Sequence, residues 1–406
     1  MSTRTLKVLS PLHIGNGREL TPLDIYPGEG VVYVLDTGRL TDDLLGMGIS
    51  LEEILHLLRN PPGDAYVWKG YIDELRLNPS DYALYTLKIH GEAGKRSMQI
   101  KEFIKTNGKP YVPGSSVKGA LRTAVLYKVL KECKDPGMAM NIILRIKNNR
   151  GQVEKKTADL AQEIGWSESL VDFYLTKLSQ ERPNPKYADD LLEAIVFGME
   201  SNRRSGVRYE PKRDPMKALT IRDSKEIGKK HLAVYRVDVV GNPQPIPIWV
   251  EALEPETTTE IEVNVNTELL RLNAEYFNGV LWECLKDWGQ PWEAFEGFLW
   301  EAVDEFYTAV RKAEVAEARK FGAKARNVKA FYSSLEGHGG HILRLGWGSG
   351  WLATTVGVLL RENRRWEGTR RRLGLGKNPR GRGLSREFPK TRRLANGMPM
   401  GWVVLQ

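Results

Sequence analysis

A chain of 406 residues with 41% hydrophobic residues is long enough for two domains, or for one domain with large insertions, and reads as globular. No apolar run reaches the roughly eighteen residues that suggest a membrane helix, and the opening MSTRTLKVLSPLH lacks a secretory core, so a soluble cytoplasmic protein with no membrane partner is expected. The net charge is +9, and Cys133 and Cys284 stand apart from each other and from any Cys or His at ligand spacing, which argues against a disulfide framework or a zinc site.

Thr5–Leu9 alternates like a short strand and runs into Pro11-Leu12-His13-Ile14-Gly15-Asn16-Gly17-Arg18, a glycine-bearing loop that another backbone can approach closely. Val31–Leu35 predicts the next strand, Thr41 the cap of an amphipathic helix reaching about Leu58, and Tyr85–His90 a further strand. Tyr111–Val125, YVPGSSVKGALRTAV, joins a strand end and a tight turn to a helix running to about Cys133. Ser115 or Ser116 is placed to cap that helix, and Lys118 and Arg122 lie one turn apart on its polar face. Two cations near the positive end of a helix dipole are unfavourable by a few tenths of a kcal/mol, roughly, unless an anion sits there, so a phosphate site is expected beside the plain alternative of a capped surface helix.

Residues 138–200 have a largely helical pattern and read as an insertion. Arg203, Arg204 and Arg208 form a basic loop before the strand Leu219–Arg222, which ends in Arg222, and strands follow at Leu232–Val240 and Ile246–Leu253. Leu269–Leu285 and Trp292–Phe321 predict long amphipathic helices. A second glycine loop then brackets the strand Ile342–Leu345 and continues as Gly346-Trp347-Gly348-Ser349-Gly350-Trp351 into a helix from about Leu352 to Arg364. Its N–H groups suit a phosphate or an RNA backbone, and Trp347 and Trp351 are candidates for base stacking. Trp351 replaces the third glycine of a dinucleotide fingerprint and no GxxxxGK[ST] occurs, so no nucleotide cofactor is expected. His338 and His341 make an HxxH without an acidic neighbour in sequence, and no metal is expected there.

The basicity is local. Residues 361–393 carry thirteen Lys or Arg against three Glu, or +10, leaving the first 360 residues at −1. Arg outnumbers Lys eleven to two, which favours forked contacts to phosphate, and the interspersed glycines suggest a mobile arm or loops able to wrap a strand. Arg370, Arg371, Arg372, Arg392 and Arg393 are its candidate RNA contacts, beside Gly15, Gly17, Arg18, Gly346, Gly348 and Gly350 of the two glycine loops and Ser115, Ser116, Lys118, Arg122 and Arg222. The expected fold class is α+β, antiparallel sheets covered by helices, with an N-terminal domain over 1–265 and a C-terminal one over 266–406.

LSPLHIGNGREL, YVPGSSVKGALRTAV, DPMKALTIRDS at 214–224, the late glycine loop and the terminal PKTRRLANGMPMGWVVL together resemble the RAMP superfamily of CRISPR-associated proteins. Their order and spacing are most similar to the subunit that caps the crRNA three-prime side of the type III-A (Csm) effector complex. The resemblance implies an RRM-like (ferredoxin-like) core that binds crRNA through its backbone, meets single-stranded target RNA and packs on the adjacent backbone subunit. It also implies a part in crRNA maturation, presenting the three-prime end to a separate host nuclease.

Catalysis is the alternative. The superfamily's target-cleaving subunits carry an aspartate after the first strand, and Asp24 lies at a comparable distance from LHIG, although Pro22 and Pro27 replace the glycine-rich surround. His13 is a candidate general base for metal-independent cleavage, against the plainer reading of a loop histidine bonded to backbone. The reading adopted is a non-catalytic RNA-binding subunit; a ribonuclease using Asp24 or His13, and a purely structural assembly subunit, are the alternatives.

Overall fold

The computed structural model describes residues 2–61, 63, 66–92, 98–132, 169–179, 185–202, 206–241, 247–378 and 383–406. Two sheets organise the chain. The first has five strands in the order Leu219–Ile221, Thr258–Val265, Ser2–Val8, Trp402–Leu405, His341–Arg344, all antiparallel. Its second and fourth strands clamp the first strand of the chain, pairing Leu6 with both Thr259 and Leu405.

The second sheet runs Gly15–Leu20, Ile100–Phe103, Ile248–Leu253, Leu232–Val240, Ala83–His90, Val31–Leu35, Ile25–Pro27, with Arg392–Ala395 pairing along the far half of Leu232–Val240. It corrects the expectation of purely antiparallel sheets, because Leu232–Val240 runs parallel to Ala83–His90 and Ile248–Leu253 parallel to Ile100–Phe103. Parallel pairing requires a long crossover, and the pattern within a strand does not say which way its neighbour runs.

Most of the expected strands fall within two or three residues of the observed ones, whereas several helices divide. The helix expected from Thr41 to Leu58 is two: Asp36 caps Thr37–Gly46 and Ser50 caps Leu51–Arg59, with Gly48 at φ +93° in the turn between. The helix expected at Leu269–Leu285 is Thr267–Leu272 and Val280–Lys286. Pro291–Ala316, with proline at its first position, packs its Phe306 on Tyr127 of the helix Gly114–Glu132 at 5.2 Å. The insertion expected at 138–200 contributes the helices Leu170–Leu178 and Pro185–Phe197 and runs into the strand Met199–Asn202, while its residues 138–168 and 180–184, with Arg203 and Arg204, lie outside the described residues.

One contiguous core joins both sheets and most of the helices, from Leu6 to Leu405. The boundary expected at 265/266 is crossed by both sheets, since the last strands of the chain complete each of them. A lobe between Val31–Leu35 and Ala83–His90 has a separate core around Leu40, Leu44, Ile54 and Trp68. No helix among the described residues is long and apolar enough to cross a membrane.

Candidate nucleic-acid interface

The five sequence motifs resolve into two joints. At the first, the helix Gly114–Glu132 meets the strand Leu219–Ile221 and the residues after it. Asp223 Oδ1 accepts from Gly114 N at 2.8 Å, so the chain itself supplies a carboxylate at the helix N-terminus. Val112 N donates to Ser224 Oγ and Ser224 N to Val112 O, both at 2.9 Å, and a side chain at Gly114 would strike Ile221 O at 2.2 Å.

The two cations expected to face phosphate turn inward here. Lys118 Nζ donates to Leu219 O at 2.6 Å, and burial pulls its pKa down. Arg122 bonds Asp214 at 2.5 Å and Glu193 at 3.1 Å while its guanidinium lies 3.6 Å from the centre of the Phe197 ring. The capping role expected of Ser115 or Ser116 falls to Asp223, and both serines lie within the first helical turn. Exposed Ser115 and Arg222, the latter 3.0 Å from Glu262, remain on the surface of this joint, whereas Ser116 is half-buried.

At the second joint the chain passes from one sheet to the other through Leu9–Ile14. Trp402 N donates to Ser10 Oγ at 3.0 Å, Gly401 N to Pro11 O at 3.0 Å and Trp347 N to His13 O at 2.8 Å, so the early loop, the late glycine loop and the terminal strand form one unit. Gly346, at φ +73°, permits this: a Cβ there would lie 2.3 Å from His13 O. Gly348 packs on Met400, and Gly350 faces open space. Beyond the joint Gly15-Asn16-Gly17-Arg18 bulge from the edge strand, exposed throughout, with Arg18 N bonded to Asn16 Oδ1 at 2.8 Å.

Trp347 sets the chemistry of this surface. It is half-buried and edge-on to the His13 ring at 5.9 Å, and the Arg393 guanidinium stands 4.5 Å from its ring centre. Burial lowers the pKa of Arg393, and its Nε has no hydrogen-bond partner among the described residues. A ring with a cation over it and a cation on the adjoining bulge suits a stacked base and its phosphates. The sequence names both residues, yet their pairing depends on the alignment of Arg393 with Val239 and on the loop meeting His13.

Of the two catalytic candidates, His13 is buried and Asp24 is half-buried. His13 is 2% exposed, its Nδ1 donates to Glu251 O at 2.6 Å, and burial lowers its pKa to about 4. Glu251 is itself buried and holds Lys105 at 2.5 Å, Phe103 N at 2.8 Å and Tyr85 Oη at 2.8 Å, a network with no signal in the sequence. Asp24 closes its own turn, accepting from Thr21 N at 2.8 Å and Thr21 Oγ1 at 2.7 Å.

The basic segment is built into the fold over most of its described length, a correction to the mobile arm. It includes the helix Trp366–Arg372, and Trp366, Trp351 and Phe388 pack together. Trp351 is thus a packing residue. Arg370 is buried against Glu367 at 2.8 Å and Ser385 O at 3.0 Å; Arg372 donates to Ser179 O at 2.5 Å. Arg392 is buried between Glu314 at 2.6 Å and Glu317 at 2.8 Å. Burying unpaired guanidinium is so costly that a collapsed chain finds carboxylates for it, a pairing that a count of charges does not reveal. Arg371, Lys377 and Arg386 are exposed, with no ion pair among the described residues.

Tertiary structure supplies the HxxH with an acid, Asp304 lying 3.0 Å from His341 Nδ1, but the ring is stacked on Trp300 at 4.4 Å. Among the described residues only Glu132, Glu301 and Glu305 converge in the manner of metal ligands, and Lys128 Nζ occupies their centre at 2.5–2.9 Å.

A family model of the RAMP superfamily matches residues 5–353. The crystal structure of T. onnurineus Csm5 is 61% identical, with a TM-score of 0.84, over 99% of this chain and 100% of that one. A chain in the cryo-EM structure of a Csm–crRNA–target RNA ternary complex of a type III-A CRISPR–Cas system is 59% identical, with a TM-score of 0.86, over 100% of both. The "CRISPR system Cms protein Csm5" of Mycobacterium tuberculosis is 23% identical over 86% of this chain and 82% of its own. That of Methanocaldococcus jannaschii is 28% identical over 30% of this chain, a match spanning 29% of the relative's length. On the extent of that family match, the chain belongs to the RAMP superfamily.

Proposed function

We propose that the chain is a non-catalytic subunit of a type III-A CRISPR effector complex that binds crRNA towards its three-prime end, caps the backbone filament and assists crRNA maturation. The observation that carries this is the joint at His13, where Trp347, Arg393 and the exposed bulge Gly15–Arg18 lie at the meeting of the two glycine loops. Its contacts suit a sugar–phosphate backbone and a stacked base without reading base identity, as a protein handling many guides requires. Full-length likeness to a chain of a crRNA-bound assembly supports the same reading.

The partners that follow are crRNA, the target RNA paired with it, the adjacent backbone subunit and a host nuclease that trims the three-prime end. The antiparallel five-stranded sheet is the half in which we place the RRM-like core. Ser115, Arg222 and Arg371 form a second tier of RNA contacts, since each is exposed. The buried state of His13 and the closed turn of Asp24 favour a non-catalytic subunit over a ribonuclease.

Fluorescence anisotropy of an end-labelled single-stranded RNA, followed over time at several salt concentrations, tests the proposal. Stable binding that weakens steeply with salt is the expected result. A signal that rises and then decays points to cleavage, and no binding at low salt leaves a scaffold that meets RNA only within its assembly.

A further inference from the structure

The lobe between Val31–Leu35 and Ala83–His90 carries an apolar surface that its own core does not use. On the helix Leu51–Arg59, Ile54 is buried in that core. Leu51, Leu55 and Leu58, spaced i, i+4, i+7, are instead 56%, 37% and 39% exposed, and Leu45 and Met47 before the helix are 39% and 52% exposed. The helix that carries the leucines has a capped start. Ser50 Oγ accepts from Glu53 N at 3.2 Å and Glu53 returns to Ser50 N at 2.8 Å, a complete capping box. Scattered exposed leucines need no explanation, whereas a row of them on one helix face has the form of a docking surface.

Charge decides the occupant. Residues 36–82 carry nine Asp or Glu against four Lys or Arg, a net −5 within a chain of +9. Asp42, Asp43, Glu52 and Glu53 are all exposed on the two helices that bear the row. Such a rim repels RNA phosphate, anionic lipid and a second copy of the same lobe, and it complements Lys and Arg. We infer that the row from Leu45 to Leu58 docks another protein subunit of the effector assembly, one presenting an apolar face edged with basic residues. This rests on the assembly membership proposed above, and it separates the molecule's protein-binding face from its RNA-binding joint.

The test is co-expression of the full chain with the other protein subunits and a guide RNA, with the affinity tag on another subunit, reading the amount of this chain in the purified complex. Leu51→Ser/Leu55→Ser/Leu58→Ser is expected to lower incorporation at least tenfold while RNA affinity of the isolated chain stays within twofold. Asp42→Lys/Asp43→Lys/Glu52→Lys, which leaves the apolar row and the capping box intact, is expected to lose incorporation as well and covers the case in which the serine variant misfolds. Wild-type incorporation of the charge variant overturns the inference, as does a tenfold loss of RNA binding in the isolated variant. Failure of the wild-type chain itself to incorporate overturns the assembly reading, and this occupant with it.

Discussion

The backbone N–H of Trp347 donates to the carbonyl oxygen of His13 at 2.8 Å, joining two glycine loops that lie at opposite ends of the chain. The contact closes only because Gly346, the residue before Trp347, has no side chain to strike the same oxygen.

Gly346→Ala therefore combines a positive φ with a Cβ 2.3 Å from His13 O, and a loss of about 2 kcal/mol or more is expected. Gly350→Ala has the positive φ but open space around it, and a loss of about 1 kcal/mol is expected. Urea midpoints of the two variants measure the difference, and equal losses mean that the His13 contact is not what Gly346 protects.

Arg392 and Arg393 are neighbours with opposite roles. Arg392→Ala leaves Glu314, 1% exposed, with Arg344 at 3.3 Å as its remaining ion pair among the described residues, and a loss of about 3 kcal/mol or more in unfolding free energy is expected. Arg393→Ala should change stability by less than about 1 kcal/mol, weaken RNA binding evenly across sequences and reduce the salt slope by about one. A thermal melt paired with the salt titration separates the two; RNA affinity unchanged in Arg393→Ala removes it from the interface.

His13 gives the fold a pH dependence with a definite sign. Its folded pKa is lowered from 6.5 to about 4 by burial, so between those values the unfolded chain binds the extra proton. Its contribution is complete above pH 6.5 and is lost as pH falls towards 4, to a total of about 3 kcal/mol. His13→Asn preserves a donor towards Glu251 O without the titration, so its stability should fall less than the wild type's over that range. Parallel pH profiles of the two proteins would refute the assignment.

Lys118 holds the carbonyl of Leu219, and Lys118→Met is expected to cost about 1 kcal/mol while leaving the RNA salt slope unchanged. A slope reduced by about one would instead place phosphate at that helix end.

Asp24→Ala removes the two bonds from Thr21, with an expected cost of about 1 kcal/mol. Incubated with labelled RNA, wild type and variant should leave equal amounts of intact strand. Shortening by the wild type alone would restore the ribonuclease reading.

The amino-acid sequence by itself determined the strands at Val31–Leu35 and Leu232–Val240, the apolar stripe of the helix Gly114–Glu132 and both glycine loops, because alternation, helical spacing and the freedom of glycine act over a few residues. It also carried the five ordered motifs by which the superfamily is recognised. What only the tertiary structure decided is which cations are available to a ligand. Lys118, Arg122 and Arg392 are spent on carbonyls and carboxylates far away in sequence, whereas Arg393, one residue from Arg392, stands over Trp347. A strand sends successive side chains to opposite faces, and a buried charge must find a partner wherever the fold brings one, so neither outcome is written in the local pattern.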